Sequence, residues 1–317
     1  MNVRTAAGLC AAFLAVAAAS GIMAQRDGQD PQAKLVVDGR ERTYQIHVPS
    51  SYTGSQSVPL VLSLHGRLGT GAGQQRLTHM DRISDAHGFL VVYPDGLDRS
   101  WADGRGGSPS DRNGINDIKF LSTLIDRLEH EYKVDASRVC ATGMSNGGFM
   151  TGRLACELSD RIAAVAIVAA SLSDNVAASC HPARPVSVLV LQGTNDPLVP
   201  FQGGALGKNG SRGHILSHEA TVQKWLALDQ CKDTERLDSS ATESATSAAY
   251  SSITMHTGCA AGTEVEDYVV VNGGHTWPGG QQYLPQAIIG QTARDRDASE
   301  VIWEFFSRHP LGPSAQN

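Results

Sequence analysis

Between residues 34 and 307 the chain alternates short apolar runs with segments whose apolar residues recur every three or four positions, and that alternation restricts the fold more than any other feature. Val58–Leu64, Phe89–Tyr93, Arg138–Thr142, Ile162–Val168, Val186–Leu191 and Glu264–Val271 read as strands; such runs suit a sheet covered on both faces. Between them helices are expected at Gln74–Ala86, Ile118–Tyr132, Asn146–Glu157, Glu219–Leu228 and Ala298–Ser307. The second has Ile118, Leu121, Leu124, Ile125 and Leu128 on one stripe, with Asp117 at its start. Strands alternating with helices imply an α/β class: a mostly parallel central sheet with helices on both faces. Lys34–Asp38 and Thr43–Val48, joined at Gly39, add an antiparallel N-terminal hairpin. Residues 101–116 carry no period and read as a loop, and Leu237–Thr254, rich in Ser, Thr and Ala, as a variable surface segment.

The first 24 residues differ from the rest. Arg4 precedes an uncharged, Ala-rich apolar run, and Ala24 precedes the polar Gln25-Arg26-Asp27, the pattern of an export signal cleaved near Ala24; a membrane anchor is the competing reading. Residues 25–317 then read as a single catalytic domain, since neither an internal repeat nor a linker divides them. A formal charge of -6 points away from a nucleic-acid partner, and no later segment is apolar for long enough to engage a membrane as a span. With Cys10 removed, five cysteines remain. The expected bridges are Cys156–Cys180 and Cys231–Cys259, leaving Cys140 as a buried thiol in its strand.

The strongest local signal is Gly143-Met-Ser145-Asn-Gly147-Gly148, set between a strand and a helix. A serine on such a turn is held in a strained conformation with its hydroxyl above the sheet edge, and glycines two residues away on each side keep side chains out of the crossing. Serine needs a base, and the base a group to orient it. In the α/β-hydrolase fold these follow the serine in the order acid, histidine, each on a loop leaving a later strand. Asp196 follows Val186–Leu191 and His275 follows Glu264–Val271, so Ser145, Asp196 and His275 are the expected triad, with Asp174 a rival acid. The backbone N–H groups of Arg67 and Asn146 are the expected oxyanion donors, and His65 is expected to fix the first of those loops. His214 and His218, at i and i+4, lack the order and third ligand of a zinc motif and read as surface residues flanking a helix start. No metal and no cofactor are expected.

Together, His65-Gly66, Tyr93-Pro-Asp-Gly96, Asn116-Asp117, Gly143–Gly148, Gly193-Thr-Asn-Asp-Pro197 and Gly273-Gly-His-Thr-Trp-Pro-Gly-Gly280 resemble the polyhydroxybutyrate-depolymerase and feruloyl-esterase group of secreted hydrolases, over about Leu35–Phe306. The resemblance implies the triad roles given above, counts the Cys156–Cys180 bridge among features seen in relatives, and implies substrates that are esters of polymers or their fragments. Extracellular depolymerases of the group carry a linker and a polymer-binding module after the catalytic domain, which this sequence does not show. Poly(aspartic acid) hydrolases also look like this group.

Residues 66–80, 197–218 and 276–294, expected to rim the site, contain no Asp or Glu but include Arg67, Arg76, Lys208, Arg212 and Arg294. Arg67, Lys208 and Arg212, with Trp277, are therefore candidate substrate contacts. Basic loops on a net acidic protein favour an anionic polymer such as poly(aspartic acid). The alternatives are a neutral-ester hydrolase and a catalytically silent binding protein.

Overall fold

The structure, a computed structural model, describes residues 32–239 and 248–312; the expected leader and residues 240–247 of the Ser/Thr-rich segment lie outside the described residues. In chain order the elements are β1 (Gln32–Val37), β2 (Arg40–His47), β3 (Val58–Leu64), α1 (Gly71–Thr78), α2 (Met80–His87), β4 (Leu90–Pro94), α3 (Pro109–Arg112), α4 (Asp117–Glu131), β5 (Val134–Met144), α5 (Asn146–Glu157), β6 (Ala164–Val168) and α6 (Asp174–Ser179). They continue as β7 (Ser187–Gly193), β8 (Gly204–Ala205), β9 (His214–Ile215), α7 (His218–Asp229), β10 (Asp233–Ser239), β11 (Tyr250–Thr257), β12 (Val265–Val271), α8 (Gln286–Ile289) and α9 (Ala298–Arg308).

Ten strands form one sheet in the order β1-β2-β4-β3-β5-β6-β7-β12-β11-β10. The six from β4 to β12 run parallel, and antiparallel pairs close both flanks. The period of two sorts side chains between two cores. Leu60, Leu62 and Leu64 of β3 and Val188 and Val190 of β7 join Leu121, Leu124 and Leu154 on one face; Val61, Leu189 and Leu191 join Met80, Ile83, Ile302 and Phe305 on the other. Each fully buried Leu or Val contributes roughly 1.5–3 kcal/mol before chain entropy is counted. This is the mostly parallel, doubly covered α/β architecture with the N-terminal hairpin.

Two expectations need correction. The helix expected at 74–86 is two helices, because His79 adopts a left-handed conformation (φ 50°). It caps α1 through its N–H to Gln75 O, and the turn lets Met80 and Ile83 of α2 reach the core. The segment expected to be a variable surface carries β10 and β11. Ser251 and Ile253 of β11 are buried, but Ser and Thr fill so much of the strand that no apolar run marks it. Its order comes from the backbone ladder along β12, from Tyr250 opposite Val271 to His256 opposite Val265.

Disulfides join Cys156 to Cys180 across 24 residues and Cys231 to Cys259 across 28. Closing loops of that length restricts the unfolded chain by ~3–4 kcal/mol each in the chain-entropy picture. Cys140 is a buried free thiol, and burial pushes its pKa up to about 12.

Candidate active site

β5 delivers Met144 to the carboxyl edge of the sheet, and the chain reverses into α5 through Ser145 at φ 59°, ψ -119°. A side chain there in left-handed territory is strained and persists only when its surroundings hold it. Two glycines make the crossing possible. A Cβ on Gly143 would lie 2.6 Å from Gly147 backbone, and one on Gly147 would lie 2.2 Å from Leu64 O, both closer than atoms can approach. Ser145 N–H donates to Val168 O on the neighbouring strand at 2.9 Å. The elbow is thus clamped between β3 and β6.

β7 and β12 are neighbours, and their next loops are joined. Asn195 N–H donates to Gly273 O (2.9 Å) and Asn272 N–H to Thr194 Oγ1 (2.8 Å). This brings Asp196 and His275, 79 residues apart, to 2.7 Å between Oδ2 and Nδ1. The other carboxylate oxygen accepts N–H bonds from Leu198 and Val199, both 2.8 Å. With Nδ1–H donating to this fixed carboxylate, Nε2 is left with its lone pair, as a base requires. Both side chains are buried, which keeps the pair out of water. Tyr283, whose side chain stays partly exposed, donates its hydroxyl to His275 O at 2.9 Å; desolvation at that hydroxyl, with the Asp196 charge adding to it, pushes the phenol above its ordinary pKa.

Among the described residues no hydrogen bond joins Ser145 Oγ to His275; such contacts in unliganded sites are often long and tighten only with substrate. Asp174, the rival acid, starts α6 behind the N-cap Ser173 and has no hydrogen bond to a histidine among the described residues.

The loop after β3 passes over the elbow: a Cβ on Gly66 would sit 3.4 Å from Ser145 Cβ. The backbone N–H groups of Arg67 and Asn146 have no protein acceptor among the described residues. Asn146 opens α5, where the helix dipole adds a partial positive charge.

A residue that sequence reasoning missed braces the loops of both expected donors. Trp101 is fully buried and donates its indole N–H to His65 O (2.8 Å), two residues before Arg67. Its backbone N–H and C=O grip the Asn146 carboxamide, donating to Oδ1 (2.7 Å) and accepting from Nδ2 (3.1 Å). Asn146 Nδ2 also donates to buried Asp103, which pairs with Arg105. Asp117 then receives Ala102 N–H (2.7 Å) and the buried Arg42 guanidinium (2.6 Å). His65 Nε2 accepts Gly96 N–H at 3.0 Å, so Nδ1 carries the proton that faces Gly66 O; burial lowers its pKa and keeps the ring neutral. It fixes the loop. The only sequence trace of this network is the polar stretch 101–117, whose partners are mostly backbone groups.

The candidate substrate contacts divide. Arg67, Lys208 and Arg212 are exposed. Trp277 is a correction: it is fully buried, and its indole donates to Ser299 Oγ at 3.1 Å, so it belongs to the core. Arg294 donates to Gly279 O and Gly280 O and braces its own loop. His218 is a second correction, since it is buried, stacks on Phe201 and binds Asp267 at 2.6 Å; His214 is exposed.

A collar stands out among the described residues. Of six exposed large apolar side chains, Leu68, Leu198, Tyr283, Leu284 and Ile288 lie on the loops of Arg67, Asp196 and His275. Gln282 closes the 282–292 segment that carries three of them, donating to Leu284 O and Gly290 O and accepting from Thr292 N–H and hydroxyl.

Among the described residues no helix is long and apolar enough to cross a membrane, and no group of three or more His, Cys, Asp or Glu is placed to hold a metal ion.

Residues 37–290 match the sequence profile of a family described as "Putative esterase". The chain is 30% identical to "Putative esterase NocK" of Nocardia uniformis subsp. tsuyamanensis, over 88% of this chain and 83% of the relative. It is 24% identical to feruloyl esterase B of Piromyces equi, over 73% of this chain but 42% of that longer protein. The acetyl xylan esterase of Aspergillus awamori superposes with a TM-score of 0.55 at 14% identity, over 87% of this chain and 99% of that one, which shows a shared fold. With its profile match spanning most of the described sheet and its edge loops, the chain belongs to this esterase family.

Proposed function

We propose that the chain hydrolyses carboxylic esters through an acyl-enzyme, with Ser145 as nucleophile, His275 as general base and Asp196 orienting it. The observation that carries this is the buried Asp196–His275 pair at 2.7 Å, its far oxygen fixed by two N–H groups, on the sheet edge that presents Ser145 at φ 59°. His275 Nε2 takes the Ser145 proton as Oγ attacks the ester carbonyl, and the oxyanion meets the N–H groups of Arg67 and Asn146. The imidazolium returns its proton to the leaving alkoxide, which departs as alcohol. A water then donates its proton to His275 and its hydroxide to the acyl carbon, releasing the acid and regenerating the Ser145 hydroxyl. Ser145→Ala should lower kcat on p-nitrophenyl acetate by roughly 10⁶-fold; near-normal turnover would remove Ser145 from the reaction.

For the substrate, the apolar collar supports a neutral ester, with an acyl or alcohol group that covers Leu198, Tyr283, Leu284 and Ile288. The similarity to feruloyl esterase B supports the same class. A second reading keeps an anionic polymer such as poly(aspartic acid): Arg67 is exposed one residue from Gly66, which packs on Ser145, and the flanking loops lack acids. Rising salt separates them, because screening weakens capture of a charged chain and leaves a feruloyl ester untouched. We read the chain as an exported single domain, a reading supported by its two disulfides. Thiol titration of the denatured, unreduced mature chain should find one thiol, Cys140, and five after reduction.

A further inference from the structure

An ion pair packed against the nucleophile helix has no part in the reaction as described above. Asp103 is fully buried. Arg105 lies two residues on, its side chain 8% exposed, and its guanidinium grips both carboxylate oxygens, Nε at 3.1 and 3.0 Å and Nη2 at 2.7 Å. The Arg105 backbone N–H donates to Oδ1 at 3.1 Å, and Asn146 Nδ2 donates to Oδ2. Each of these partners is a donor, so the surroundings favour the carboxylate form of Asp103. Burial works against that charge and raises its pKa.

Arg105 also lies over the Phe149 ring, 4.1 Å from the centroid, where a cation is attracted to the aromatic face. Phe149 N–H donates to Ser145 O at 2.9 Å in the first turn of α5. Both members of the pair therefore rest on the turn that opens with Asn146, the carboxylate on the Asn146 side chain and the guanidinium on Phe149. Among the described residues, no other cation balances Asp103. Arg153 gives one nitrogen to Ala102 O and pairs with Glu157 at 2.6 Å, and Arg42 pairs with Asp117 at 2.6 Å. The remaining charge that faces Asp103 is Asp111, a like charge, which accepts Gly104 N–H and Gly106 N–H. An unbalanced carboxylate here would set a negative field across the Asn146 backbone N–H, where the proposed reaction gathers negative charge.

We infer that Arg105 is a positioning residue for the oxyanion site: by neutralising Asp103 it lets a carboxylate fix the Asn146 carboxamide without opposing the charge that develops on the substrate. The inference deepens the esterase reading and rests on it. It gives the buried pair an electrostatic task in addition to its mechanical one.

The test compares kcat on p-nitrophenyl acetate, a neutral substrate, per folded chain counted by circular dichroism. Arg105→Met strands the Asp103 charge and should lower kcat roughly 10- to 30-fold at pH 9 with little change in KM. The His275 titration is common to both proteins and cancels in the ratio of variant to wild type. That ratio should climb back towards one at pH 6, as the stranded carboxyl takes up a proton. Arg105→Lys keeps a cation beside Asp103 and should recover most of the loss. Asp103→Asn combined with Arg105→Met removes anion and counterion together, and should hold kcat within about fivefold of wild type at both pH values. Wild-type kcat in Arg105→Met, a loss that does not vary with pH, or a double variant no better than the single would each overturn the inference. Should Arg105→Met not fold, Asp103→Asn decides alone: it keeps the cation and an acceptor for Asn146 Nδ2, so kcat should stay within about threefold, and a tenfold loss would overturn the assignment. Turnover that survives Ser145→Ala would remove the esterase mechanism itself, whereas an inactive Ser145→Ala beside an unaffected Arg105 series would remove only this role of Arg105.

Discussion

The two sides of the proposed site, the oxyanion side and the acid–base side, are built by different means. On the oxyanion side, Arg67 and Asn146 rest on a buried polar lattice of His65, Trp101, Asp103, Asp117 and Arg42. On the acid–base side, Asp196 and His275 meet because their strands are adjacent, and the loops that carry them bear the exposed apolar side chains Leu198, Tyr283, Leu284 and Ile288. The difference follows the work each side would do in the proposed reaction. A donor pair stabilises developing charge only if it is already in place, so rigidity resides there, whereas a rim that admits bulky groups needs surface rather than anchoring.

The sharpest way to break this contrast is at the acid. Asp196→Asn keeps the shape but favours the wrong histidine tautomer, and a loss near 10⁴-fold in kcat is expected. A loss below tenfold would mean that the pair is not the operating base.

A control away from the site separates stability from chemistry. Asp229 is buried at the end of α7, accepts Val186 N–H, and burial raises its pKa to about 7. Because the folded carboxyl holds its proton more tightly than the unfolded one, its contribution is complete below the ordinary carboxylate range and is lost as pH rises through about 7. The whole difference is on the order of 4 kcal/mol. Asp229→Asn should match wild type in Tm near pH 4, exceed it at pH 8, and leave the pH profile of kcat unchanged. An equal Tm gap at both pH values would refute the assignment.

On the oxyanion side, Trp101→Phe deletes one N–H to His65 O and keeps the ring. It should cost roughly 10- to 100-fold in kcat with little change in KM, a milder effect than deleting a donor outright. A rise in KM alone would place Trp101 with substrate binding instead. The smallest effect belongs to the rim. Leu284→Ser should raise KM for a feruloyl ester about three- to fivefold, about 1 kcal/mol, and leave p-nitrophenyl acetate turnover as it was. Equal losses on both substrates would show that this segment supports the base rather than the substrate.

How far each side could be read in advance follows from the same contrast. The elbow, the acid loop and the histidine loop are legible because each follows an apolar run and uses a residue type with one chemical purpose. The lattice around Trp101 is not, since its hydrogen bonds run to backbone atoms and leave no periodic trace in residues 101–117. Trp277 misleads for a related reason: an aromatic in a Gly-rich loop beside a histidine looks like a substrate contact, and only the path of the chain turns it into the core. His218 hides at a helix start, its partner Asp267 lying 49 residues away on β12. β11 escapes notice because strand order there comes from a neighbour's backbone rather than from its own apolar content.

The Gln282 clasp has an evolutionary corollary. One carboxamide closes residues 282–292 on themselves, and among the described residues the ties of that segment to the His275 loop are the Tyr283 hydroxyl, the Ile289 carbonyl and the Gln291 carbonyl, which accepts Gly274 N–H and the Thr276 hydroxyl. Chain can be lengthened or exchanged between 284 and 288 without unpicking the oxyanion lattice, so this short stretch is where descendants of the scaffold would diversify their diet while the chemistry stays the same.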